Sequence, residues 1–339
     1  MRFALSDEQR QFAESIDQLL SASDPAKANR AWAQGQHEPG MRIWQALAEL
    51  GVQALTVPQR WGGIEATAVD LVVAFERLGY HAVPGPWVDT VAALPALLPR
   101  EHPLAERFLP GVASGETLAS LVLRPHVPYA LDADVAQARL LLEGAAIRPF
   151  TAGRALSSID GSRRLFEPVP ESDNESEPVN TGPIDTGPID TEAAFDVGAL
   201  ATAAQLLGAG QWLLDESVTY AKQRKQYGRE IGQYQAIKHL LADVATELEL
   251  ARPLVHGAAV ALGGDTAARD VSAAKVACAR AAHLAARTGL QVHGAIGYTA
   301  EHDLGLRLTK VRALVSAWGT QSVHRTRVLH GVPEHGRVG

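Results

Sequence analysis

Apolar positions recur at helical spacing through the first third of the chain. Ser6, followed by Glu8 and Gln9, marks a helix start, because a serine oxygen can accept from the orphan amides of a first turn. Phe12, Ile16, Leu19 and Leu20 continue that stripe. Trp44, Leu47, Ala48 and Leu50 form a second, ended by Gly51. Leu71, Phe75 and Leu78 form a third, with Gly79 as its expected stop. Val57-Pro58 and Trp61-Gly62-Gly63 punctuate the loop between them.

The pattern changes near Gly115. LASLVL (Leu118 to Leu123) and ARLLLE (Ala138 to Glu143) are short apolar runs bounded by Pro, Gly and Asp, which predicts strands. The stretch from Glu171 to Glu192 is acidic, rich in Pro, Gly, Asn and Ser, and repeats TGPID in tandem over Thr181 to Asp190. It has too little apolar surface to fold alone and predicts a mobile surface linker. A tolerated loop duplication explains the tandem more simply than a docking motif.

Long helical stripes return from Phe195. Leu200, Leu207, Leu214 and Ala221 share one face. Ile237, Leu240, Leu241, Val244, Leu248 and Ala251 share another, with a kink expected at Pro253. Ala267, Val271, Ala274, Cys278, Ala281 and Ala285 form a third, whose small residues suit closely packed antiparallel helices of a four-helix bundle. The expected fold is mainly α with a small central β domain. Its parts are an N-terminal helical domain (1–116), a reduced middle β domain (117–170), a linker (171–194) and a C-terminal helical bundle (195–339).

Composition narrows the function classes. With 339 residues, 46% hydrophobic and a formal net charge of -7, the chain has a large core and no broad attraction for nucleic acid or anionic lipid. One cysteine, Cys278, allows no internal disulfide and no thiolate cluster. The opening MRFALSDEQRQFAESI has no apolar h-region, and no stretch reads as long and uncharged enough to span a bilayer, so a cytoplasmic protein is expected. No histidine pair has the i, i+4 spacing with an intervening acid of a helical zinc site, so no metal is expected. His239, His256 and His283 read as packing or surface residues, and neither a GxSxG elbow nor a GxxxxGK[ST] loop occurs.

Two segments carry candidate chemistry. Arg224-Lys225-Gln226-Tyr227-Gly228 continues through Ile231, Gly232, Tyr234 and Gln235 into a helix. Gln291-Val292-His293-Gly294-Ala295-Ile296-Gly297-Tyr298-Thr299 opens into a glycine-rich turn. An arginine and two glutamines beside glycines offer donors for a diphosphate and for a heteroaromatic ring or sugar. Singly, each segment reads equally well as an exposed helix end or a plain turn.

In order, they resemble the acyl-CoA dehydrogenase family, through RKQYGREIGQYQAIKHLLADV and QVHGAIGYTAEHDLGLRLTKVRALVSAWGT. WQALAELG, the VP…WGG stretch, FERLG (Phe75 to Gly79) and FLPGVASGE (Phe108 to Glu116) extend the resemblance to nearly the whole chain. It implies FAD-dependent oxidation of an acyl-CoA at its α and β carbons, a glutamate taking the α-proton and flavin N5 the β-hydride. It also implies that Arg224, Gln226, Tyr227 and Gln235 belong to the motif touching a neighbouring subunit's FAD. Gln291 and Gly294 would lie along that cofactor's adenosine and diphosphate, and Thr320 would contact FAD from its own subunit.

The resemblance also shows what is missing. Where the family has Tyr-Glu-Gly-Thr, this chain has Ala317-Trp318-Gly319-Thr320, and indole has no site able to take an α-proton. The alternative base position, shortly after Asp196, is Gly198, and the arginine that commonly follows is Ala199. RPHVPYALDAD replaces the Thr-Glu-Pro…Gly-Ser-Asp segment, and the Trp-Ile-Thr segment is absent. This resembles the short, catalytically degenerate chain of heterotetrameric actinobacterial steroid side-chain dehydrogenases, partnered by a longer catalytic chain that holds most of the acyl-CoA. Two alternatives stand beside it: a self-sufficient enzyme with a base relocated to Glu301, Asp303 or Glu247, and a scaffold without redox duty.

Overall fold

The computed structural model describes residues 4–99, 101–143, 146–171, 189–299 and 302–332. The TGPID repeat lies almost wholly outside these residues, as does Glu301. Helices α1 (Asp7–Ala22), α2 (Pro25–Ala33), α3 (Glu38–Glu49), α4 (Ala68–Tyr80), α5 (Leu94–Leu97) and α6 (Pro103–Ala113) come first, with a π-helical stretch, Val88–Ala93, leading into α5. Ser6 closes a capping box at α1: its hydroxyl accepts from the Gln9 N–H (3.2 Å), and the Gln9 side chain accepts from the Ser6 N–H (3.1 Å).

Strands β1 (Ala119–Leu123), β2 (Ala130–Leu131), β3 (Ala138–Glu143), β4 (Ala146–Leu156) and β5 (Leu165–Pro170) form one sheet in the order β1-β3-β4-β5-β2. β1 and β3 run parallel, with Leu121 opposite Leu140, and the other pairs are antiparallel. The sequence flags β1 and β3 because both are apolar runs, and β1 is buried along its whole length. It gives no such signal for β4 and β5, which carry prolines and leave many side chains half-buried or exposed.

The C-terminal part comprises α7 (Thr191–Gln223), a hairpin of β6 (Lys225–Gln226) and β7 (Arg229–Glu230), then α8 (Gln235–Ala261), α9 (Ala267–His293), α10 (Leu304–Ser316) and α11 (Gln321–Gly331). α7 starts inside the expected linker: Asp190 caps it by accepting from the Ala193 N–H (2.9 Å), so residues 191–194 are helical. α8 continues as one helix through Pro253. By length and composition α7 is apolar enough to cross a membrane, contrary to the expectation that no segment is. Its apolar residues are buried instead against α4, α8 and α9, which makes it the core helix of the bundle.

Gly79 does not stop α4. The helix runs on to Tyr80, and Gly79 lies where α4 crosses α7 backbone to backbone. A Cβ at Gly79 would strike the Gln205 carbonyl, and one at Gly208 would strike the Glu76 carbonyl. Buried Glu76 ties the crossing to α8 through Arg252 and also pairs with Arg77 at 2.9 Å.

A Gly208→Ala substitution is expected to destabilise the chain by about 2 kcal/mol or more, because backbone cannot rotate away from the added methyl. Gly305→Ala in α10 meets open space and is expected to stabilise by about 0.5–1 kcal/mol through helix propensity. Denaturant unfolding of both variants checks the contrast, and equal effects would contradict the tight crossing.

Candidate functional site

The two positions that the resemblance marks for a base, Trp318 and Gly198, occupy one place. Gly198, in α7, faces the indole of Trp318, and a Cβ there would be driven into the six-membered ring. Trp318 is buried (3% exposed) and adopts a left-handed backbone (φ 53°), followed by Gly319 at φ 96°. A side chain at Gly319 would strike His324 and Phe195, so this turn needs glycine.

The turn is held from several sides. His324 Nε2 donates to the Trp318 carbonyl (2.8 Å), and its Nδ1 is 3.1 Å from the Ser272 hydroxyl. The His324 ring stacks on Phe195 with centroids 5.6 Å apart. Lys275, fully buried, donates to the Leu314 and Val315 carbonyls (3.0 and 3.2 Å) at the end of α10. Burial lowers the pKa of Lys275 to about 7 and that of His324 to about 4. Asp196, two residues before Gly198 on α7, pairs with Arg327 at 2.7 Å.

Above the indole, a cavity of about 610 Å³ opens between the small sheet and the bundle. Residues 125–131 and 157–165 supply one wall, and 312–323 the other, Thr320 included. Thr320 is also the N-cap of α11, where its hydroxyl accepts from the Val323 N–H (3.4 Å). Lys310 joins the walls by reaching Asp160 and Ser162, each at 3.1 Å. Burial alone would raise the Asp160 carboxyl, but Lys310, Ser162 and Arg163 bring it below its ordinary value.

Asp89, on the π-helical stretch, lines the same cavity and carries no sequence signal of its own. It accepts from the Leu121 N–H (3.0 Å), and the Trp318 indole beside it also favours the carboxylate. Burial raises its pKa to about 7 against both.

The remaining expected site residues gather on the outer surface of the bundle. Tyr227 and Gly228 both have positive φ (52° and 79°), forming the tight turn of the β6–β7 hairpin. Ile231 below the hairpin packs with Ala221 and with Val292 near the end of α9, while Tyr220, Tyr234, Ile237 and Leu241 cover this small core. That core brings the two sequence motifs together. The side chains of Arg224, Gln226, Tyr227, Gln235 and Gln291 are exposed, Tyr227 at 94%, and bond to no described residue. Gln291 and Gly294 line an open groove of about 880 Å³ between α8 and α9. Arg287, four residues before Gln291 and so on the same helix face, lines it too, although it lies outside both glycine-bearing motifs.

His293 faces inward and stacks on Tyr220 (4.3 Å). With Glu216 and His302 it brings potential ligand atoms within 4.8 Å of one another. His293 Nδ1 donates to the Gly289 carbonyl (2.8 Å), leaving its buried Nε2 without a partner. His302 Nδ1 accepts from the Leu304 N–H (3.1 Å), so in neutral His302 the proton sits on Nε2, 3.5 Å from Glu216. A cation would have to displace that proton and face the charge of nearby Arg307, so the group suits proton sharing better than metal binding. Of the acids expected as relocated bases, Asp303 pairs with Arg30 at 2.6 Å and Glu247 with Arg280 at 2.5 Å.

His324 sets a pH dependence. Its folded pKa of about 4 lies below the ordinary 6.5, so between these values the unfolded chain binds more protons. Its contribution to stability is present above pH 6.5 and is lost as pH falls towards 4. In His324→Gln, the pH dependence of unfolding free energy across this window is expected to flatten by about one proton, or ~1.4 kcal/mol per pH unit. Denaturant unfolding at several pH values measures it.

Comparison with known proteins places this geometry in a family. The model for the acyl-CoA dehydrogenase N-terminal domain matches residues 6–116, and the model for the C-terminal domain matches residues 186–332. Acyl-CoA dehydrogenase IpdE2 of Mycobacterium tuberculosis is 31% identical over 303 residues, covering 88% of this chain and 89% of that protein. Among solved structures, the ChsE4-ChsE5 complex from Mycobacterium tuberculosis aligns with a TM-score of 0.78 at 20% identity, over 98% of this chain and 100% of that one. A variant of the Tcur3481-Tcur3483 steroid ACAD aligns with a TM-score of 0.76 at 19% identity, over 96% and 97%. With its helical N-terminal domain, small β domain and helical C-terminal domain, the chain belongs to the acyl-CoA dehydrogenase family, whose members are typically FAD-dependent oxidoreductases.

Proposed function

We propose that this chain is a non-catalytic subunit of a heteromeric acyl-CoA dehydrogenase, completing the FAD site of a longer catalytic partner. One observation carries the reading: a single indole, Trp318, fills the space over Gly198, so neither family base position offers a carboxylate. The donors that face outward meanwhile bond to no described residue of their own chain.

The outer donor set suits FAD. Arg224 presents a guanidinium fork for the diphosphate, and Gln226 and Gln291 present amides for ring, ribose or adenine. Gly294, exposed at φ 61° with open space around its α-carbon, allows close backbone approach, and Arg287 adds a second cation in the same groove. FAD bound there would supply hydride acceptance, while the residues of this chain would hold and orient its far end. The partner would provide the base and most of the acyl-CoA contacts. The complexes named for two chains, ChsE4-ChsE5 and Tcur3481-Tcur3483, support a partnered assembly. The description of the latter as a steroid ACAD supports a steroid side-chain thioester as the substrate class.

Asp89 favours a second reading, a self-sufficient enzyme with a new base, because it is a carboxyl titrating near pH 7 on the inner cavity. Its complete burial and its bond to Leu121 weigh against free access to a substrate proton.

Co-expressed with its partner, the chain is expected to yield one flavin per pair of unlike chains; purified alone, it is expected to be colourless and inactive. Flavin spectra with native mass measurement decide this, and turnover by a flavin-loaded isolated chain would overturn the proposal. Arg224→Ala in the complex is expected to weaken FAD binding at least about tenfold, the loss of a charge-assisted contact. Unchanged FAD affinity would favour a scaffold instead. α-Proton exchange by the isolated chain, abolished in Asp89→Asn, would establish the second reading.

A further inference from the structure

The inner cavity has lost the base position yet has not collapsed. Its volume of about 610 Å³ lies in the range of small-ligand sites. Val127, Leu131, Leu165, Val315 and Val323 provide apolar walls, with the face of Trp318 beside them. Tyr129 and Ile159, also on its lining, are 50% and 60% exposed, so large apolar side chains reach solvent there.

Two arginines lie on the same lining. Arg163 is half-buried and Arg312 exposed, and neither guanidinium makes a hydrogen bond or ion pair with a described residue. The Arg163 guanidinium feels the carboxyls of Asp89, Asp132 and Asp160 through space but bonds to none of them. Its donors therefore remain available, although burial favours their use. Two guanidinium groups beside an apolar, aromatic-lined hollow recognise a particular chemistry: an anionic group on an apolar body.

We propose that this cavity binds an apolar carboxylate of ring size, its body against Trp318 and its carboxylate held by Arg163 and Arg312. The proposal rests on the reading that the chain does not hold a flavin ring of its own. Ser157, Ser158 and Ser316 on the lining add hydroxyl groups for the same anion. A carboxylate fits the planar guanidinium fork, whereas a neutral analogue would leave both arginines as they are.

The test uses the full-length isolated chain with 2-naphthoate, its neutral analogue 2-acetylnaphthalene, and inorganic phosphate, titrated by calorimetry. The expected result is one 2-naphthoate per chain, with the neutral compound and phosphate each at least tenfold weaker. Arg312→Ala, at an exposed position that folding tolerates, and Arg163→Ala should each weaken 2-naphthoate about tenfold. Quenching of indole fluorescence by 2-naphthoate should shrink in Trp318→Phe. No binding, equal binding of acid and neutral analogue, or indifference to both arginine substitutions would overturn the proposal. If 2-naphthoate fails while the isolated chain stays free of flavin, only the ligand assignment falls. If the isolated chain binds FAD in competition with 2-naphthoate, this proposal and the subunit reading fall together.

Discussion

Close approach to α7 is the constraint on which the rest of the molecule depends. Gly208 admits the backbone of α4 on one side of the helix, and Gly198 admits the indole of Trp318 further towards its start. Both contacts need a missing side chain on α7, and both are buried. The first fixes the N-terminal helices onto the bundle. The second fixes the turn between α10 and α11, and with it one wall of the inner cavity.

The functional consequences separate into an inner and an outer face. On the inner face, polar groups are spent on holding the turn at Trp318 and what surrounds it: His324 takes the Trp318 carbonyl, Lys275 the last carbonyls of α10, and Asp89 the Leu121 N–H of β1. Each of these groups is driven towards its neutral form by burial, the cost of building such a turn without water. On the outer face the opposite holds. Donors that bond to no described residue stand on a hairpin and a helix end, and a small core of Ala221, Ile231 and Val292 sets their relative position.

The Glu216, His293 and His302 group ties the end of α9 to α7. His293 follows Gln291 on α9 by two residues but turns inward onto Tyr220, so one helix end presents an amide outward and an imidazole inward. The inward imidazole packs the end of α9 against α7, and the free amide is thereby presented on a fixed base.

The helical stripes, the two apolar strands and the two glycine-bearing motifs were legible in the sequence because each has a local period or spacing. That Trp318 and Gly198 offer no carboxylate was equally legible, as residue identity. Other features were not. β4 and β5 lack an apolar run, and Gly79 read as a stop although it lies inside a helix crossing. Asp89, Arg163, Arg287 and Arg312 carry no local signal, because their surroundings come from segments far apart in the chain. The sequence by itself thus determined the order of elements and the chemistry that each position can offer. Tertiary structure alone decided that Trp318 and Gly198 are one place, because contact between positions 120 residues apart follows from packing and not from periodicity.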